Sequence, residues 1–141
     1  MSERNYYIYK MFRDEEEENV YFRPNSTDRM KRLLAYRMSG YSVLAYIRVT
    51  EEDWYNSKLR DYCNEYCAED REEHYLHSQY VRGEYPYSEE CLLDTLTLIQ
   101  DRKWCLLKSI HRTIRAMARR DLEIREEIAI LLNDQYLKAI L

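Results

Sequence analysis

Glycine and proline are almost absent from this chain, and where they fall decides most of what it can become. Two glycines, Gly40 and Gly83, and two prolines, Pro24 and Pro86, are all it has in 141 residues, and none lies beyond Pro86. A chain with so few breakers spends little length in irregular turns. It also lacks the glycines for a three-glycine dinucleotide fingerprint or a phosphate-cradling Walker loop. At 17.4 kDa one domain is expected, 1–141, with a sheet-forming part over 1–50 and a helical part over 51–141. A chain near this size buries roughly 68–70% of its unfolded surface, enough for a core without disulfide or metal.

The breakers partition the sequence. Asn5 to Phe12 is rich in Tyr, Ile and Phe and reads as a strand; Val20 to Arg23 reads as its partner across the acidic loop Asp14 to Glu18. After Pro24, Ser26 or Thr27 caps a helix through Ser39 whose inner face carries Met30, Leu33, Leu34, Arg37 by its stem, and Met38. Gly40 stands where a left-handed C-terminal cap belongs. Tyr41 to Val49 alternates β-branched and aromatic residues, and because Leu44 and Tyr46 make its second face apolar too, a central strand is expected. Thr50 caps a helix with Glu51, Glu52 and Asp53 in its first turn, running to about Val81. Ser88 caps another, which without a break would be about 80 Å long, so a break is expected near Arg119 to Asp121. The order strand, strand, helix, strand, then three helices defines an α+β fold: a small antiparallel sheet of about three strands covered by helices that also pack together.

No stretch approaches 18 apolar residues, and Met1 to Arg23 shows no basic start followed by an apolar run, so no membrane partner is expected and a cytoplasmic or host-cytoplasmic setting is. Cys63 and Cys67, four apart, and Cys91 and Cys105, fourteen apart, lie within helical segments and cannot close disulfides there. The cluster Cys63, Cys67, His74 and His77 has zinc-ligand residue types, but Cys67 and His74 stand about 10 Å apart on an unbroken helix, so no metal or cofactor is expected. Glu72 and Glu73 beside His74 and His77 are raw material for acid-base work, yet neighbours in sequence point about 100° apart on a helix. An enzyme is therefore not expected, and one built around His74 is only the third reading.

Charge layout says more. From Val49 to Glu90 four basic residues face twelve acidic ones, a net of −8, whereas Arg102 to Arg125 holds eight basic residues against two acidic, a net of +6. Asp61, Glu65, Glu69 and Glu73 recur every four positions, about 6 Å apart along one helix face; Lys108, Arg112, Arg115 and Arg119 form a basic stripe on another. The stripes can answer each other within the molecule or across a dimer, the acidic one can imitate a phosphate backbone in a partner's basic groove, or the basic one can meet nucleic acid. Of 15 tyrosines, Tyr85 and Tyr87 flank Pro86 in the one long turn and suit a protein contact. The last segment, with Ile128, Leu131, Leu132, Leu137, Ile140 and Leu141, is apolar over more than one face and either fills the core or pairs with a second copy, so a homodimer is expected. These features suggest an interaction protein, an inhibitor or adaptor of the size a virus or mobile element encodes, that binds a protein partner through acidic, tyrosine-rich surfaces. Nucleic-acid binding through the basic stripe is the alternative.

Overall fold

The computed structural model describes residues 3–24 and 27–136. The chain forms two compact units, Met1–Ser57 and Lys58–Leu141. The first unit is a three-stranded antiparallel sheet with one helix, built from β1 (Tyr6–Arg13), β2 (Glu16–Phe22), α1 (Arg29–Met38), β3 (Ser42–Val49) and the opening turns of α2 (Glu51–Val81). The strand order is β2-β1-β3.

The hairpin is tighter than an acidic loop. Asp14 and Glu15 alone make the turn, both with positive φ (52° and 65°), and Glu16, Glu17 and Glu18 belong to β2, opposite Arg13, Phe12 and Met11. Two left-handed residues match the twist of the flanking strands, which is why a two-residue connection suffices. Carboxylates on the ladder meet cations across it, as Lys10 does Glu17 at 3.7 Å.

β1 is the central strand, and its alternation feeds both faces of the sheet. Tyr7, Tyr9 and Met11 point to one, where Met11, Val20 and Phe22 are buried against Leu33 and Tyr36 of α1. Ile8 and Tyr6 point to the other, where the first turns of α2 lie: Trp54 is buried, its ring 5.2 Å from that of Tyr6, and its indole N–H donates to the Tyr7 carbonyl at 3.2 Å. The expectation of a central β3 is overturned. β3 pairs with β1 alone and is an edge, with a bulge at Leu44, which has no partner between Ala45 and Val43. Apolar residues on both its faces reflect two exposed faces rather than two buried ones, since Ser42 to Arg48 are all exposed.

Helix boundaries follow local chemistry. Gly40 takes φ +92° behind α1, and the Tyr41 N–H closes the end on the Tyr36 carbonyl at 3.0 Å. At the other end α1 starts at Arg29 behind Asp28 with no side-chain cap bond, so Thr27 is not the cap; Ser26 lies outside the described residues. Thr50 accepts from the Asp53 N–H at 3.2 Å and caps α2, and Ser88 accepts from the Cys91 N–H at 3.1 Å and caps α3 (Glu89–Arg119).

In the second unit the remainder of α2 runs antiparallel to α3, followed by α4 (Glu126–Leu131) and one π-helical turn over Leu132–Tyr136. Leu59, Cys63 and Tyr66 of α2, Leu92, Ile99, Ile110 and Met117 of α3, and Ile128 and Leu132 are its buried apolar residues. The break after Arg119 is present, but Asp121 does not cap α4. It takes φ 54° and ends α3, with the Leu122 N–H donating to the Met117 carbonyl at 3.0 Å, and Arg125 precedes α4. Ile128 and Leu132 are core residues of this unit, so they offer no face to a second copy; Leu137, Ile140 and Leu141 lie outside the described residues.

Candidate interaction surfaces

The acidic stripe of α2 is split by its neighbour. Glu69 meets Arg102 of α3 at 3.0 Å, and Glu73 meets Lys103 at 3.6 Å and also accepts from the Gln100 amide. Lys103 is the centre of this contact: a buried lysine whose ammonium donates to Asp70 at 2.7 Å and sits 5.1 Å from the Tyr66 ring centre. Burial works against that ammonium, but the hydrogen bond to Asp70, helped by Tyr66 and both carboxylates, outweighs it and holds its pKa above the ordinary lysine value. Asp61 is half-buried and Glu65 exposed, and both add to the burial that pushes the Tyr62 phenol up against the opposing pull of Arg112. So acid does answer base within the molecule, through Arg102 and Lys103. Lys103 was visible as a lysine at the apolar spacing of Ile99 and Ile110, the pattern of a cation buried with its counter-ions.

Lys108, Arg112, Arg115 and Arg119 are exposed and make no ion pair among the described residues. Beside them Trp104 is 62% exposed, with the Lys108 ammonium 5.9 Å from its ring centre. An indole left this open is unusual outside contact surfaces. Tyr85 and Tyr87 form an edge-on pair at 5.8 Å; Tyr85 is half-buried, its hydroxyl on the Cys91 sulfur at 3.6 Å, and Tyr87 is exposed. Cys63 is buried, which pushes its thiol up to about 11, while His74 and His77 are exposed, with the His74 ring nitrogen Nδ1 2.7 Å from the Asp70 carbonyl. Among the described residues no three of His, Cys, Asp and Glu converge as metal ligands would.

The first unit carries a surface that periodicity alone misplaced. Met30, Leu34 and Met38 were expected on the inner face of α1, yet they are 58–80% exposed, and Leu33 and Tyr36 pack on the sheet instead. No α1 residue is fully buried. Tyr36 rather than Leu34 sets the rotation of the helix, its ring edge-on to Tyr41 at 5.1 Å. Val43, Leu44, Tyr46 and Ile47 of β3 are 51–57% exposed alongside. Between α1 and the start of β3 lies an open groove of about 440 Å³, lined chiefly by Met30, Leu33, Leu34, Arg37 and Val43. That volume is within the roughly 300–1,000 Å³ typical of ligand clefts. Arg29 is stacked over Tyr7 at 4.3 Å and Arg32 over Phe22 at 4.5 Å, whereas Lys31 and Arg37 of α1 stack on no ring among the described residues. No helix among the described residues is long and apolar enough to cross a membrane. Comparison with protein-family models, with curated proteins and with solved structures finds no match to this chain.

Proposed function

We propose that this chain is a protein-interaction protein of the adaptor kind, and that it takes an extended segment of a partner protein along the outer edge of β3. One observation carries the reading: an eight-residue strand, exposed on both faces, stands at the sheet edge beside an apolar groove. An edge strand presents a row of unpaired N–H and C=O groups, and proteins blunt such edges with lysine, proline or inward charge. β3 has neither lysine nor proline, and Arg48 is its sole charge. Strand addition draws affinity from the main chain and specificity from pockets for alternate side chains. Here the α1 groove supplies the pocket, and Lys31 and Arg37 favour an acidic residue beside the apolar ones. The phosphate-mimic reading loses support, because Glu69 and Glu73 are engaged with α3.

The test is selection of peptides from a random display library on the intact protein and on its Leu34→Lys variant. Peptides with alternating apolar residues and an acidic neighbour, selected on the first alone, are expected, and the best one added back should slow amide exchange across Ser42–Val49. Peptides that bind both proteins equally, or that leave β3 exchange unchanged, refute the reading.

A further inference from the structure

The outward face of α3 is written in two signs. Taking 100° per residue from the buried line of Leu92, Ile99, Ile110 and Met117, the residues opposite that line are Glu90, Asp94, Asp101, then Lys108, Arg112, Arg115 and Arg119. All seven are exposed, and none makes an ion pair among the described residues. The change of sign falls at Trp104 and Cys105, both exposed. Helix-dipole compensation accounts for acid in the first turn and base in the last, but not for Asp101 and Lys108 in the middle.

We propose that this face binds a second copy of the same chain, with the two α3 helices antiparallel about a two-fold axis between Trp104 and Cys105. The positions are self-complementary under that one operation. It sets Glu90 opposite Arg119, Asp94 opposite Arg115, and Asp101 opposite Lys108 of the second copy, and each pair occurs twice because the contact is isologous. Trp104 of each copy then meets its counterpart on one flank of the crossing and Cys105 its counterpart on the other, the place where contact energy concentrates, and exposed Leu98 extends the apolar centre on the Cys105 side. The strip from Glu90 to Arg119 is roughly 44 Å long. Since each copy already holds α2 against the inner side of α3, the pair sets four antiparallel helices side by side, with the two α3 helices in the middle. This inference stands on the second unit and is independent of what β3 binds.

The registry makes a sharp chemical prediction. The two Cys105 residues face each other across the axis about 8–10 Å apart, the distance between packed helix axes, whereas the two Cys91 residues are separated by roughly 40 Å along the bundle. A short bis-maleimide added to the intact protein at micromolar concentration should give a covalent dimer that survives Cys91→Ser and disappears with Cys105→Ser. Asp94→Arg should raise the dimer dissociation constant by about tenfold or more, since it turns two attractive pairs repulsive, and combining it with Arg115→Asp should restore affinity. Light scattering at a mass of one chain, a cross-link that persists in Cys105→Ser, or failure of the swapped pair to recover affinity would each overturn the proposal. So would binding of a mixed-sequence oligonucleotide that needs Arg112 and Arg115 in a protein that stays monomeric.

Discussion

Lys103→Met tests how the helical hairpin is held together. Methionine keeps the length and apolar stem of lysine but removes the ammonium, leaving Asp70 and Glu73 side by side on α2 without their cation. The side chains of Lys103 and Glu73 are 11% and 15% exposed, so water replaces little of what is lost, whereas Asp70 at 31% recovers part of its solvation. Breaking a fully buried pair costs about 3–5 kcal/mol, and the partial access at Asp70 brings the expectation to about 2–3 kcal/mol. With roughly 2.1 cal/mol/K of unfolding entropy per residue, that is a fall in Tm of about 7–10 °C, read by circular dichroism at pH 7. Arg102→Met is the comparison: its guanidinium is half-exposed but Glu69 is only 20% exposed, so its loss should cost about 1–2 kcal/mol, less than that of Lys103. The pH dependence has a definite sign. A lysine whose folded pKa is raised contributes stability in full below the unfolded value near 10.4 and loses it as pH climbs through the folded value, so the gap between wild type and Lys103→Met should be constant from pH 7 to about 10 and close above that. A Tm within 1–2 °C of wild type, or a gap that closes near neutrality instead, refutes the network as the clasp of this hairpin.

Glu15→Gly should stabilise the first unit by about 1 kcal/mol, because it relieves a left-handed glutamate in the two-residue turn; denaturant melting followed by tyrosine fluorescence reads it. Trp54→Ala should cost about 3–5 kcal/mol, removing a buried indole and its hydrogen bond to the Tyr7 carbonyl, and would show as loss of the first unit's slow-exchanging amides. In thiol titration at pH 8 the native protein should modify Cys91 and Cys105 first and leave Cys63 untouched until denaturant is added, since burial lifts that thiol to about 11; mass spectrometry of the labelled peptides decides.

The helices were legible because their ends are written in local chemistry. Thr50 and Ser88 cap where hydroxyl residues precede two acids, and Gly40 and Gly83 take positive φ where the periodic pattern stops. Strand existence was legible for the same reason, but strand order was not. Both β1 and β3 alternate and both are apolar on two faces, so the pattern could not say which one lies between the others. The two-residue turn at Asp14 and Glu15 ties β2 to β1 but leaves a free edge on each, and β3 takes the one on β1. Nothing at Asp14-Glu15 resembles the Asn-Gly or Asp-Gly pairs that announce such a turn.

Surface charge was legible as stripes, but not which members of a stripe the neighbouring helix would engage. The spacing of Asp61, Glu65, Glu69 and Glu73 puts them on one side of α2, but a side in sequence is about 60–100° wide, and α3 packs against one margin of it. Glu69 and Glu73 fall on that margin and are consumed by Arg102 and Lys103, while Glu65 stays in water. The basic stripe of α3 lies opposite its buried line, and although Arg112 still acts on the Tyr62 phenol of α2, none of its four cations is ion-paired among the described residues. A carboxylate stripe at a packing margin is part of the hairpin clasp, whereas the cation stripe at the antipode stays exposed and without an ion pair among the described residues. The acids Glu90, Asp94 and Asp101 share that antipode, which turns an apparent basic patch into a face with two opposite halves. A polyanion would meet repulsion along the N-terminal half of this face, whereas an inverted copy of the same helix meets attraction along its whole length, and that difference is what favours a second chain over nucleic acid.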